Sequence, residues 1–317
     1  MYQHPQTVAV VIVSYNTVGL LRTCLSSLTG CALPLRIVVV DNASADGSAA
    51  MVRAEFPAAD VIALDSNVGF ARGTNSGLAA LCDPPPASRP LPPVLILNPD
   101  TDVQPGAIEA MVSFLEAHPR VGMVSPRLLN PDGTSQAAAF RFPTLLMTAL
   151  DLFPPGEVLP GRLYGSWWHG RYPQERGGDP FPIDHPLGAC MLVRPEVIAQ
   201  VGGFDENYFM YSEEVEWCWR IRAAGWAIWQ VPTARVVHVG GAATRQFRWR
   251  MLVALYRSRA HFVVTHNAPS QRLAHTIVVR AGMIRATLRV WRDYISGRIN
   301  RDELRAHLLA YGEISRL

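Results

Sequence analysis

The chain contains no lysine, so all 29 of its basic residues are arginine. Cysteine is scarce too: Cys24, Cys31, Cys82, Cys190 and Cys218 are scattered and never fall in C-x-x-C spacing. This distribution argues against a disulfide framework and a cysteine zinc site, and makes the five small core residues in a reducing compartment. No uninterrupted apolar run reaches about 18 residues, and no basic segment precedes the first apolar stretch. Neither a spanning helix nor a secretory signal is therefore expected, and the expected location is cytoplasmic. No internal repeat is present.

What is there suffices for a sizeable core. The 317 residues are 49% hydrophobic, a size that suits one large α/β domain with an extension. Charge is unevenly spread: between positions 245 and 317, 14 Arg face only Asp293, Asp302, Glu303 and Glu313, a net of +10, while the remainder carries −7. A basic C-terminal region of this kind suits an anionic surface partner.

Residues 7–14 and 36–40 are β-branched apolar runs without alternation, the pattern of parallel strands buried on both faces. Helical spacing over 18–28 lies between them, so the opening reads strand, right-handed crossover, strand, with ligand groups at the strands' carboxyl ends. Further helices are expected over 46–56, 70–81, 104–118 (Pro105 in the first turn) and 213–224. Further strands are expected over 61–64, 94–97, 121–124, 188–193 and 234–239. The proline-rich segment 83–93 reads as a surface loop, and 140–182 as a long irregular lid or binding loop. The fold class is α/β, a mostly parallel sheet flanked by helices, with a domain at 1–244 and a basic helical extension at 245–317.

Four polar clusters each follow an expected strand: Ser14-Tyr15-Asn16, Asp41-Asn42-Ala43-Ser44, the stretch from Asn67 to Asn75, and Asn98-Pro99-Asp100-Thr101-Asp102. Their shared address makes a polar crevice, in which Asp41 can accept hydrogen bonds from ribose hydroxyls or a base N–H. Alone, Asp41-Asn42 is also an ordinary turn sequence. The spacing of Gly69, Gly73 and Gly77 is not that of a phosphate-binding G-x-G-x-x-G loop, which counts against a dehydrogenase.

Asp100 and Asp102 have the D-x-D spacing that offers hard oxygen ligands to Mg or Mn, an ion that would neutralise a departing nucleoside diphosphate; a turn-starting Asp is the alternative. Glu213, Glu214 and Glu216 follow the plausible helix cap Ser212, where acidic residues are ordinary dipole partners. Helical spacing puts Glu214 with Trp217, Cys218 and Ile221, partly buried and able to serve as a base, and puts Glu216 with Arg220. His238 sits on an apolar strand, either as a core histidine or, ahead of Gly240-Gly241, as part of a metal's shell.

Taken together these residues resemble a family-2 glycosyltransferase of the GT-A fold, in the rhamnosyltransferase-like branch of bacterial polysaccharide biosynthesis. The resemblance spans about residues 8–241 and is carried by VVIVSYN, VVVDNASADGS, NVGFARGTNSGL, LILNPDTDV, GACMLVRPEVIAQVGGFDENYFMYSEEVEWCWRIRAAGW and VVHVGG, in order. It implies that Tyr15, Asn16, Asp41, Asn42, Asn67 and Asn75 line a nucleotide crevice, with Ser14 and Gly69 beside them. It also implies that Asn98-Pro99-Asp100 occupies the D-x-D position, making Asp100 the metal ligand ahead of Asp102. His238 matches a histidine near the metal, and Gly188 to Cys190 would border the donor sugar. The family's Glu-Asp pair stands here as Glu213-Glu214, giving Glu214 the base role with Glu213 as the alternative. The activity implied is inverting transfer of a sugar from a dTDP- or UDP-linked donor, with dTDP-rhamnose the leading choice, to a saccharide or lipid-linked saccharide acceptor.

Beyond residue 244 the resemblance fades. Apolar residues between Leu273 and Trp291 interleave with Arg280, Arg285, Arg289 and Arg292, which suits peripheral attachment to an anionic membrane surface. The alternative is an appendage packed on the core or on a second copy of the chain in a homodimer. Nucleic acid is not an expected partner. Two other activities fit the sequence less well: a nucleotidyltransferase acting on sugar phosphates, and a catalytically inert nucleotide-sugar-binding subunit.

Overall fold

A computed structural model describes residues 7–82, 91–154, 166–241 and 248–317. Most of the proline-rich loop and the expected boundary at 244 lie outside the described residues. The first half runs β1 (Val8–Ser14), α1 (Val18–Leu28), β2 (Leu35–Asp41), α2 (Ser48–Glu55), β3 (Asp60–Ala63), α3 (Phe70–Cys82), β4 (Val94–Leu97), β5 (Thr101–Val103) and α4 (Ala107–Ala117). Next come β6 (Val121–Leu129), β7 (Ser135–Gln136), β8 (Ala139–Phe140), α5 (Leu145–Leu152), β9 (Phe181–Pro182), β10 (His185–Pro186) and β11 (Cys190–Val193). The rest is α6 (Pro195–Val201), α7 (Glu213–Ala223), β12 (Ala227–His238), α8 (Arg248–His266), α9 (Pro269–Ile295) and α10 (Arg301–Ile314).

These elements form two compact units. The first takes residues 1–141, 172–209 and 213–243, and the second takes 142–171, 210–212 and 244–317.

In the first unit the main sheet runs β3-β2-β1-β4-β11-β6-β12-β5. The runs without alternation are indeed its inner strands: all of β1 is buried, and β1 pairs in parallel with both β2 and β4. The second half is mixed. β11 runs antiparallel to β4 and β6, β12 runs parallel to β6, and β5 closes the edge antiparallel to β12. Leu21, Cys24, Leu25 and Leu28 bury one face of α1 in the sheet's core, and Ile108, Met111, Val112 and Leu115 do the same for α4.

The glycines of α3 are packing devices. A Cβ at Gly77 would come within 2.4 Å of Val11 Cγ1, and one at Gly73 within 2.9 Å of Val13 Cγ1. The missing side chains let the helix press on β1, which is why their spacing does not match a phosphate loop.

In the second unit Leu152 of α5 packs with Val253, Tyr256, Val279, Met283, Ala310 and Ile314 from α8, α9 and α10. Gly282 admits Leu152, whose Cδ atoms lie 2.8 Å from where a Cβ would stand. α10 opens on a capping box between Asn300 and Glu303.

Three expectations need correction. α4 begins at Ala107 behind a left-handed Gly106, so Pro105 precedes the helix instead of occupying its first turn. The span 140–182 is not irregular throughout, since it contains α5, two 3-10 turns and β9. Finally, β6 and β12 extend well beyond their apolar cores, to Leu129 and back to Ala227.

Candidate active site

Parallel pairing of β1 with β2 aligns Ser14 with Asp41, and the β1–β4 register brings Asn98 to the same edge. Strand order reverses across β1, with β2 on one side and β4 on the other, and in open α/β sheets such a switch point opens a crevice at the carboxyl ends. The sequence clusters after β1, β2 and β4 therefore do converge.

Each cluster is braced by its neighbour. Asn16 Oδ1 accepts from Ala45 N at 2.8 Å, Asn16 N donates to Ser44 Oγ at 3.0 Å, and Ser14 and Thr17 share a hydroxyl bond of 2.9 Å. Asp41 is buried and accepts from Ser44 N through Oδ2 at 3.2 Å, while its Oδ1 is buried with no hydrogen-bond partner among the described residues. An unsatisfied buried carboxylate oxygen is costly, and a hydroxyl or N–H from a ligand would relieve that cost.

The amides of the resemblance divide into two groups. Asn42 Oδ1 accepts from Val68 N at 2.9 Å, and its Nδ2 donates to Asn67 Oδ1 at 3.0 Å and Gly69 O at 3.1 Å. Asn67 Oδ1 in turn accepts from Gly69 N at 3.0 Å. Asn75 grips Phe204 from both sides, at 2.9 Å each, and also donates to Glu206. The side chains of Asn42, Asn67 and Asn75 thus clamp the loops that follow β2, β3 and α6. Gly69, at φ +88, allows Phe209 O to approach to 2.3 Å of its absent Cβ, and Phe70 N donates to that oxygen. Tyr15 is half-buried at the end of β1.

The turn after β4 is tied to β11 by Asn98 N donating to Ala189 O at 2.9 Å, and Thr101 Oγ1 donates to Asn98 O at 2.7 Å. Asp100 is brought against His238 because β5 pairs with the end of β12. Asp100 Oδ1 lies 3.4 Å from His238 Nε2, with both side chains at most 10% exposed. Asp100 Oδ2 accepts from Gly240 N at 3.1 Å, and Asp100 O accepts from Val239 N. Gly240 and Gly241 are both left-handed, at φ 72 and 71, a conformation glycine adopts at no steric cost. A carboxylate and an imidazole facing each other are donors that fit a divalent cation completing its shell with phosphate oxygens and water. Among the described residues no third His, Cys, Asp or Glu completes a group with them. Asp102 lies in β5 opposite Val237.

On α7 the two candidate carboxylates differ. Glu214 is half-buried and sits against Gly188, whose Cβ would be 3.4 Å from both Cβ and Cγ of Glu214. The residue expected to border the donor sugar and the one expected to act as base are thereby brought together. Glu213 is buried, its Oε2 has no hydrogen-bond partner among the described residues, and burial followed by the neighbouring charge of Glu214 pushes its carboxyl well above the usual range. Glu216 pairs with Arg220 at 2.8 Å, as its spacing predicts, and Arg220 also donates to Val201 O and Gly203 O.

Two features had no signal in the sequence. Gln136, in the short strand β7, bonds the ring of His238 at 2.7 Å. The non-glycine residues with left-handed backbone among those described are Asn16, Ala43, Tyr211 and Ser212, at φ between 52 and 69. The first two end β1 and β2, and the other two immediately precede Glu213. Each such residue costs roughly 1–2 kcal/mol, and strain of this kind clusters at functional sites.

The model of the family described as "Glycosyltransferase like family 2" matches residues 5–252. An N-acetylglucosaminyl-diphospho-decaprenol L-rhamnosyltransferase of Mycobacterium tuberculosis is 30% identical over 264 residues, covering 82% of this chain and 84% of that one. The low-salt glycan biosynthesis hexosyltransferase Agl10 of Haloferax volcanii is 27% identical over 232 residues, covering 73% and 66%. Among solved structures, the mannosyltransferase PcManGT of Pyrobaculum calidifontis, in complex with GDP-Man and Mn2+, superposes with a TM-score of 0.56 at 17% identity, covering 99% of this chain and 88% of that one. That likeness fixes the fold as GT-A. With the family model matching most of its length and the 30% identical mycobacterial relative covering 82% of it, the chain belongs to glycosyltransferase family 2.

Proposed function

We propose that the chain transfers a sugar, with rhamnose from dTDP-rhamnose the leading choice, from a nucleotide diphosphate donor to a lipid-linked saccharide, inverting the anomeric centre. The observation that carries this reading is the buried approach of Asp100 to His238 at the carboxyl edge of the sheet. The name of the mycobacterial relative suggests both the sugar and the class of acceptor. A divalent cation, Mn or Mg, supplies charge neutralisation for the departing nucleoside diphosphate, and Asp100 and His238 are the residues that would hold it.

The chain's own residues do the rest. Asp41, through its unpartnered Oδ1, binds a ribose hydroxyl or base N–H, and the loops clamped by Asn42, Asn67 and Asn75 keep the crevice in shape. Glu214, beside Gly188, takes the proton of the acceptor hydroxyl as its oxygen bonds to the anomeric carbon. The bond from that carbon to the diphosphate breaks on the opposite face, and the electron pair leaves with the nucleoside diphosphate. Glu213, whose carboxyl is pushed upward by burial and then by the charge of Glu214, holds its proton more tightly than an exposed glutamate does.

The test is Asp100→Ala. It should lower metal-dependent transfer by about 100-fold or more while leaving the melting temperature nearly unchanged. Full activity in that variant, or release of pyrophosphate instead of nucleoside diphosphate, would sink the assignment.

The acceptor's lipid gives the basic helices a role. Leu273, Ile277, Ile284, Leu288, Trp291 and Ile295 are exposed along α9 at helical spacing, together with exposed Arg280, Arg289 and Arg292. No helix of the described residues is long and apolar enough to cross a membrane. An apolar stripe flanked by arginine suits lying in the headgroup region of an anionic bilayer, whereas pairing two such stripes in a homodimer would set arginines against each other. The full chain should co-sediment with vesicles containing anionic lipid at low salt and release at high salt. Binding that ignores lipid charge, or a salt-stable dimer without vesicle binding, would overturn this reading.

A further inference from the structure

We propose that Gln136 is a positioning residue that, held by Asn130, locks His238 in the tautomer with hydrogen on Nδ1, so that the bare Nε2 faces Asp100. The inference rests on the reading of Asp100 and His238 as cation ligands, and its argument is a chain of hydrogen bonds whose direction is set from one end.

That end is Asp132, in the turn between β6 and β7. Its carboxylate is an acceptor only, and its Oδ1 takes both the hydroxyl of Thr134 and, at 2.9 Å, the Thr134 N–H. With its proton so used, the Thr134 oxygen accepts from Asn130 Nδ2 at 2.9 Å. Asn130 is thereby oriented with Oδ1 toward Gln136, whose Nε2 donates to it at 3.1 Å and to His238 O at 3.3 Å. Turning the Gln136 amide over would place its oxygen against both of these acceptors. The observed orientation leaves Gln136 Oε1 2.7 Å from His238 Nδ1, and an amide oxygen can only accept. The ring hydrogen is therefore on Nδ1.

In the neutral ring that leaves the lone pair on Nε2, 3.4 Å from Asp100 Oδ1. Two electron-rich atoms held this close in a buried setting repel each other, and a shared positive charge turns the repulsion into binding. Histidine ligands are generally held in this way, by a partner on the other ring nitrogen that sets tautomer and orientation. Here that partner comes from a two-residue strand 102 positions away in sequence.

The experiment uses the full chain with 15N-labelled histidine. His238 signals are assigned by comparison with His238→Gln and recorded without metal, and Mn2+ affinity is measured separately by calorimetry. Wild type should show the Nδ1–H pattern. Gln136→Ala should shift His238 toward a mixture of tautomers and weaken Mn2+ binding about 10–100-fold. Gln136→Glu keeps an acceptor opposite Nδ1 but sets its second oxygen against Asn130 Oδ1 and His238 O, so it should preserve hydrogen on Nδ1 and recover part of the affinity lost in Gln136→Ala, a rescue that a merely structural role would not produce. Asn130→Ala should give a smaller loss in the same direction.

An Nε2–H pattern in metal-free wild type overturns the proposal. So does a Gln136→Ala protein with unchanged tautomer and unchanged Mn2+ affinity. If wild type binds no Mn2+ the cation reading fails instead, and the tautomer signal still decides the role of Gln136. Should Gln136→Ala fail to fold, the wild-type and Gln136→Glu spectra decide it.

Discussion

The two units handle apolar surface in opposite ways. Among the described residues, the exposed large hydrophobics of the first unit are Phe209 and Val239, while the second exposes Leu145, Leu146, Trp167 and Trp168 as well as the row along α9. The first unit spends its apolar residues on a sheet buried from both sides and keeps polar groups for one edge. Among the described residues, its buried polar atoms without a hydrogen-bond partner include Asp41 Oδ1 and Glu213 Oε2. The second unit instead exposes apolar side chains. The first pattern fits a small polar ligand, and the second fits an extended apolar phase.

The comparison is tested most severely at Glu214. If the polar edge is the reacting site, Glu214→Gln should lower kcat by about 100-fold to 10,000-fold with little change in melting temperature. A steady-state assay of nucleoside diphosphate release, beside a thermal melt, measures both. A Glu214→Gln enzyme with near-normal turnover would move the base elsewhere and leave Glu214 as a packing partner of Gly188.

Glu213 sharpens the same contrast through pH. Its folded-state carboxyl is raised, first by burial and then by the charge of Glu214, so the native protein binds this proton more tightly than the unfolded chain does. Its contribution to stability is fully present below the ordinary carboxylate range and is lost as pH rises toward the elevated folded value. The loss is at most about 1.4 kcal/mol per pH unit. Glu213→Gln should abolish this dependence, melting close to wild type under acid conditions and above it at alkaline pH. Parallel melting curves for both proteins across that range would show that Glu213 titrates normally.

What the sequence revealed depended on how many faces an element buries. β1 and β2 were legible because burial on both faces removes alternation, and α1 and α3 because one face carries the apolar spacing. β6 and β12 were cut short for a physical reason. Pro126, Arg127, Pro232 and Arg235 look like strand breakers, yet β12 absorbs Pro232 in a register irregularity between Val231 and Arg235. At the site, Asp100 and His238 could be named from motifs, since each follows or ends an apolar strand. Gln136 could not, because its role depends on a turn that returns β7 to β6 and on a pairing distant in sequence. The burial of Glu213 was hidden as well: a first-turn glutamate resembles an ordinary dipole partner, although Glu213 lies three and four residues before the buried Glu216 and Trp217.

The close fit of the first unit predicts intolerance to added volume where α3 meets β1. Gly77→Ala places a methyl within 2.4 Å of Val11 Cγ1, so one of the two elements must shift. The expected cost is about 1–3 kcal/mol, read as a lower urea midpoint with an unchanged slope. Because α3 begins at the loop clamped by Asn42 and Asn67, donor affinity should weaken alongside stability.

The smallest effect on stability belongs to the second unit, and it separates the two kinds of surface most clearly. Ile284 and Leu288 are 63% and 66% exposed on α9, so changing both to Glu removes little packing. Stability should stay within about 0.5 kcal/mol of wild type. Vesicle binding should nevertheless fall sharply, because each substitution removes an apolar contact with the bilayer and adds a negative charge facing anionic headgroups. Transfer to a soluble acceptor analogue should be unchanged, since the polar edge of the first unit is untouched, while transfer to the lipid-linked acceptor in vesicles should drop. If the double variant binds vesicles like wild type, the exposed row on α9 is not the membrane surface. If it instead loses stability by several kcal/mol, the row is covered by protein in solution and the second unit is closer in character to the first.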